Sequence, residues 1–173
     1  MKHTLQEPYS KEKTAAFSAG DTVLITGTIY AARDAAHKRL QELIEKGETL
    51  PLELENAIIY YAGPTPARPG YPIGSAGPTT SYRMDPYTPL LLRQGVLATM
   101  GKGPRGEEVI EAMKEQNAVY FAAIGGAAAL IAQCIQSAEI IAFEELGTEA
   151  IHKLTVKDLP VVVAIDGSGG SIY

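Results

Sequence analysis

"DTVLITGTIYAARDAAHKRL", residues 21–40, changes its hydrophobic period halfway along, and that change decides the fold. Its first part, residues 21–27, is a short apolar run ending in glycine, which predicts a buried strand. From about 29 to 46 the apolar residues return every three or four positions, with Ala36, Leu40, Leu43 and Ile44 on one stripe, which predicts a helix. In this reading Thr28 caps the helix, Gly27 lets an anion approach its amino end, and Asp34 and Lys38 pair one turn apart on the wet face. Arg33 and His37 then project from the edge of the apolar stripe. Arginine is rarely fully buried unless paired, so Arg33 either snorkels, meets a buried carboxylate or awaits an anionic ligand.

The same alternation recurs along the chain. "AIIYYAG" at 57–63 and "AVYFAAIGG" at 118–126 read as strands, and helical patterns cover about 106–117 and about 126–137. The tail reads as two strands, near Ala150–Val156 and Pro160–Asp166, closed by a glycine-rich turn. Helices interleaved with short strands predict one α/β domain over residues 1–173. A chain of this length buries roughly 70% of the surface it exposes when unfolded, enough for a full core. With 46% apolar and 20% charged residues, the composition excludes a disordered segment.

Charge narrows the partners. Fifteen Lys and Arg against twenty Asp and Glu give a net charge of -5, so no general basic field draws in nucleic acid or an anionic membrane. An anionic ligand must therefore be held by a few local cations. No stretch approaches the ~20 apolar residues of a membrane span, and residues 1–20 hold no signal-peptide core. The single cysteine, Cys134, sits in an apolar run and reads as a buried small hydrophobe. One thiol forms no internal disulfide and does not by itself hold an iron-sulfur cluster, which takes about four cysteines. A reducing, cytoplasmic compartment is expected. Asp158 and Asp166 accompany turn residues without companion ligands, so no metal site is expected within the chain.

Three elements carry candidate chemistry. The first is the Arg33–His37 helix. The second is "YYAGPTPARPGYPIGSAGPTTSYRM", residues 60–84, in which Pro64, Pro66, Pro69 and Pro72 preset the backbone path. If Pro78 opens a short helix, Thr79 and Arg83 fall at i and i+4 on one face. They then read equally as a cap beside a surface arginine or as a carboxylate-binding pair. The third is "MGKGPRG", residues 100–106, where glycines flank Lys102 without the spacing of a phosphate-binding P-loop.

Taken together, "GDTVLITGTIYAARDAAHKRL", "YYAGPTPARPGYPIGSAGPTTSYRMDPYTPLLL", "GKG", "GGAAAL" and "EAIHKLTVKDLPVVVAIDGSG" resemble the β subunit, or C-terminal domain, of class I fumarate hydratases and the related tartrate dehydratases. The resemblance covers about residue 4 to 173. It implies a swivelling β/β/α domain that acts in a hetero-oligomer with a separate α subunit bearing an oxygen-sensitive [4Fe-4S] cluster. Carried onto this sequence, it implies that Arg33, Arg83 and Lys102 bind a dicarboxylate substrate and that Thr79 with Arg83 serves catalysis, Thr79 near the carbon-bound proton; His37 either orients Arg33 or simply packs. The cluster is implied on the partner, with none on this chain. "EELGTEAIHKLTVKDLP" resembles fumarases more than tartrate enzymes. The alternatives are the same chemistry on tartrate or a methylated dicarboxylate, and a noncatalytic assembly or ligand-binding module.

Overall fold

The computed structural model describes residues 1–124 and 128–173. Strand β1 (Lys2–Gln6) and a one-turn helix α1 (Lys11–Thr14) lead into the long strand β2 (Thr22–Ala31) and helix α2 (Asp34–Glu45). Then follow β3 (Ile58–Tyr60), a 3-10 turn (Ser81–Met84), α3 (Thr88–Arg93), β4 (Ala98–Gly101), α4 (Glu107–Gln116) and β5 (Val119–Ala123). The chain ends with α5 (Ala128–Cys134), β6 (Ile135–Ala142), a second 3-10 turn (Glu144–Glu149) and β7 (Ile151–Ile165). The α/β class expected from the sequence is what the chain adopts.

The sheet order is β1-β2-β3-β4-β5-β7-β6, and β2 also pairs with β7. Strands β2, β3, β4, β5 and β7 therefore close into a barrel. Strands β1 to β5 run parallel to their neighbours in this order, while β7 runs antiparallel to β2, β5 and β6.

Strand alternation divides the core in two. One cluster gathers alternate barrel residues, among them Val23, Ile25, Ile58, Tyr60, Met100, Phe121 and Val163. The other takes the residues between them, Ile59, Tyr61 and Tyr120, and packs them against Ala36, Leu40, Leu91, Val109 and Met113 of the helices. Each fully buried side chain of the Ile58 or Phe121 kind contributes about 1.5–3 kcal/mol.

Several expectations are corrected. The strand expected at 21–27 runs on to Ala31, because Gly27 through Ala31 pair with Val156 through His152 of β7. Gly27, at φ 140°, sits at the bulge where that register shifts, packed against Glu7 and Tyr9, so it opens no helix and offers no anion site. Thr28 is a strand residue, and Arg33 takes the N-cap position instead. The helix expected over about 126–137 covers Ala128–Cys134, and its end is strand β6, which pairs with β7; residues 126–127 lie outside the described ones. The two tail strands are one strand, bent at Asp158 with φ 49°. The glycine-rich turn follows it and wraps around the Asp166 carboxylate, which accepts from Ser168 and Gly170 N–H groups. Strand β1 and strand β4 were not anticipated.

Candidate active site

Three parallel strands deliver the candidate residues to one end of the barrel. Arg33 stands two residues beyond β2, Gly63 three beyond β3, and Lys102 directly after β4. The carboxyl ends of parallel strands are where α/β sheets form ligand sites, since the loops there are free of sheet pairing.

Across this end lies the segment Thr79–Ser81. The Thr79 N–H donates to the Tyr61 carbonyl at 2.7 Å, the Lys102 N–H to the Thr79 carbonyl at 3.3 Å, and the Ser81 N–H to the Lys102 carbonyl at 2.8 Å. Thr79 is thus held between the continuations of β3 and β4, and Thr80 after it bridges to Lys102. The expected helix from Pro78, with Thr79 and Arg83 on one face, does not form, because the Thr79 main chain is already committed to Tyr61 and Lys102. The 3-10 turn begins at Ser81. Thr79 and Lys102 are nevertheless brought together, and Arg83 follows four residues on.

The second half of the site is built on the first turn of α2. The Arg33 side chain and the second 3-10 turn both pack against Gly63: a β-carbon there would lie 3.0 Å from Arg33 Cδ and 3.1 Å from the Thr148 carbonyl oxygen. Asp34 does not face Lys38 as expected. Its Oδ2 is 3.3 Å from Arg83 Nη2 and its Oδ1 3.9 Å from Arg33 Nε, so one carboxylate stands between two guanidiniums.

His37 is fully buried, edge-on to the Tyr61 ring at 5.4 Å. Its Nδ1 lies 2.7 Å from the Arg33 carbonyl. A carbonyl only accepts, so Nδ1 carries the proton and Nε2 the lone pair. Burial lowers the pKa of His37 to about 4, and the ring is neutral at pH 7. His37 Nε2, Arg33 Nε and Asp34 Oδ1 are all buried without hydrogen-bond partners. Three such orphans on one helical turn are unusual, as each typically costs about 1–3 kcal/mol.

Arg105 supports the site from below and was missed by the sequence reasoning. Its side chain is wholly buried: Nε donates to Asp85 Oδ1 at 2.8 Å, Nη1 to Thr99 Oγ1 at 3.1 Å, and Nη2 to Thr88 Oγ1 at 2.8 Å and to the Tyr61 hydroxyl at 3.2 Å. The guanidinium also stands 5.1 Å from the Tyr61 ring centre and 5.0 Å from that of Tyr120. The Tyr120 hydroxyl in turn lies 2.7 Å from both Ser81 Oγ and the Gly103 carbonyl oxygen. The only hint in the sequence was a charged residue inside the glycine-rich run "GKGPRG".

The candidate site is an open face. Lys102 is exposed and the Arg83 side chain is 47% exposed. The stiff proline loop forms an excursion beside it, closed where the Ser75 N–H donates to Thr65 Oγ1 at 2.7 Å. At its tip Arg68, Pro69, Gly70 and Tyr71 make a turn with Gly70 at φ 85°. A cleft of about 340 Å³ separates this loop from β6, lined by Pro64, Ile73, Ile140 and His152 and by none of Arg33, Thr79, Arg83 or Lys102.

The residues do not fit a metal cluster. Cys134 is one thiol, its pKa raised by burial and then by Asp158, and among the described residues no three His, Cys, Asp or Glu side chains gather around a point. No helix among the described residues is long and apolar enough to cross a membrane.

A mixed α/β barrel with two arginines and a lysine gathered where its parallel strands end is the class of domain this chain adopts, and sequence comparison places it further. The family described as "Fumarase C-terminus" matches residues 1–173, and the chain belongs to that family. It is 43% identical over 151 residues to the anaerobic class I fumarate hydratase of Escherichia coli (strain K12), covering 86% of this chain and 28% of that protein. It is 38% identical over 177 residues to fumarate hydratase 2 of Leishmania major, covering 100% of this chain and 31% of the relative. The chain thus spans about a third of the length of these fumarate hydratases. A relative from Methanocaldococcus jannaschii, named as an L(+)-tartrate dehydratase subunit beta, is 36% identical over 179 residues, covering 100% of this chain and 91% of that one.

Proposed function

We propose that the chain is the carboxylate-binding half of a hydro-lyase that interconverts fumarate and L-malate, completed by a separate subunit that carries a [4Fe-4S] cluster. The observation that carries this reading is the gathering of Arg33, Thr79, Arg83 and Lys102 at the carboxyl ends of β2, β3 and β4. A four-carbon dicarboxylate has two anionic ends, and the planar fork of an arginine matches a carboxylate better than a point charge does.

Removing the proton from carbon builds negative charge toward the adjacent carboxylate, and fixed cations stabilise it. Thr79 is the group assigned to that proton. A threonine hydroxyl is a weak base, so the role requires the Lys102 or Arg83 cation to come close enough to favour the alkoxide. Departure of the hydroxyl belongs to the partner subunit. The openness of the face favours such a partner: charges this exposed are screened by water, and covering them strengthens every interaction with substrate.

A second reading, L-tartrate as substrate, is favoured by the Methanocaldococcus jannaschii relative, whose length this chain nearly fills. Anaerobic reconstitution with the cluster-bearing partner, assayed in parallel on fumarate, L-malate and L-tartrate, decides between them. Hydration of fumarate by the complex, with the chain alone inert, is expected. Activity on tartrate alone establishes the second reading, and activity on none reduces the chain to an assembly or binding module.

A further inference from the structure

We propose that Asp34 is a positioning residue that tethers Arg83 beside Arg33 and sets the spacing of the two guanidiniums; this rests on the carboxylate-binding reading of those arginines. Arg33 and Arg83 come from different elements, the start of α2 and the first 3-10 turn, and two like charges brought to one place repel. Asp34 stands between them, 3.3 Å from Arg83 Nη2 and 3.9 Å from Arg33 Nε. It uses one nitrogen of Arg83, and a guanidinium has five N–H donors, so an edge of the fork stays free for a ligand. Asp34 Oδ1 and Arg33 Nε are themselves buried without hydrogen-bond partners. A carboxylate serving only the helix terminus would not need to reach across to the Ser81–Met84 turn.

Magnitude separates tether from strut. The Arg83 and Asp34 side chains are 47% and 32% exposed, and ion pairs of that kind add little to stability. The effect of Asp34 therefore falls on where Arg83 sits. That predicts a change in KM with little change in melting temperature.

The test has two arms. In the ¹⁵N spectrum of arginine side chains of the full chain, the Arg83 signal, identified by its loss in Arg83→Met, is expected to shift and to exchange with water several-fold faster in Asp34→Asn. An Arg83 signal identical in both proteins overturns the proposal, whatever the activity. In the reconstituted complex, Asp34→Asn is expected to raise KM for fumarate about tenfold with kcat within about twofold, Asp34→Glu to recover part of the loss, and Asp34→Asn to add nothing in an Arg83→Met background. A lowered melting temperature with unchanged KM overturns the proposal and leaves Asp34 a helix-terminus residue. Absence of hydration by the wild-type complex refutes the function proposed above, and the spectrum then decides the tether alone.

Discussion

Ser81 lies over Gly101 so closely that no β-carbon fits between them. A β-carbon on Gly101 would also come within 2.9 Å of the Tyr61 ring and 3.1 Å of the Thr79 carbonyl oxygen. The segment that carries Thr79 therefore seats on Gly101, the last residue of β4. Gly101→Ala must turn the Ser81 hydroxyl away from Tyr120 and press on the Tyr61 ring and the Thr79 carbonyl, and overpacking of this kind costs about 1–3 kcal/mol. Calorimetry of the variant should show a lower melting temperature. In the reconstituted complex kcat/KM should fall by more than stability alone explains, since Thr79 and Lys102 move apart.

Arg83 and Arg68 offer a paired comparison within one loop region. Arg68 stacks on the Tyr71 ring at 5.2 Å, at the tip of the proline excursion, while Arg83 meets Asp34 at the barrel end. Under the proposed function, Arg83→Met deletes a charge-assisted contact to the substrate carboxylate, of about 1.5–3 kcal/mol. On that scale kcat/KM of the complex falls at least about tenfold, while Arg68→Met is nearly silent. Thr79→Val should act on kcat. Equal effects of the two methionine variants, at normal assembly, would show that the loop is scaffolding.

Arg105 sets the stability of the site floor. Replacing it by Met leaves Asp85 Oδ1 without its guanidinium, with only Oδ2 still held by the Gly106 N–H, and removes one donor each from the Thr99, Thr88 and Tyr61 hydroxyls. Breaking a buried pair in this way typically costs about 3–5 kcal/mol. Arg105→Lys should rescue little, since one ammonium cannot span four acceptors fixed by a planar fork. Urea denaturation of both variants checks this. A loss under about 1 kcal/mol for Arg105→Met would mean the network is not what holds the 102–106 loop.

The apolar runs of β2, β3 and β5 and the helical period of α4 were legible because their burial follows local pattern. Strand β1 was not: its pattern is mostly exposed, and its partner is Thr22–Thr26, across the α1 turn. The α5–β6 boundary failed for the same reason. "IQSAEIIA" has no helix-breaking residue, and it is a strand only because Ile151–Val156 stands beside it. At the site, Arg33 and His37 were found by their place at the edge of an apolar stripe. The role of Asp34 was hidden, because its visible partner in sequence was Lys38 and its partner in space is Arg83.

His37 makes stability pH-dependent in a definable window. In the folded chain burial holds its pKa at about 4, below the ordinary value of 6.5 that the unfolded chain recovers. Between these values the unfolded state binds more protons than the folded state, so stability falls as the pH is lowered from 6.5 toward 4. Above that window the contribution is fully present; below it the loss is complete. The shift corresponds to roughly 3 kcal/mol at most. Carboxylates titrate in the same acid range, so the useful quantity is the stability difference between the wild-type chain and His37→Gln, followed by urea denaturation across the window. That difference should shrink on acidification, because only the wild-type chain must keep a buried imidazole neutral. A difference independent of pH would mean that His37 is protonated in the folded chain without penalty. Its lone-pair Nε2 would then have to be a donor, with an acceptor reaching it beside Tyr61 and Tyr87.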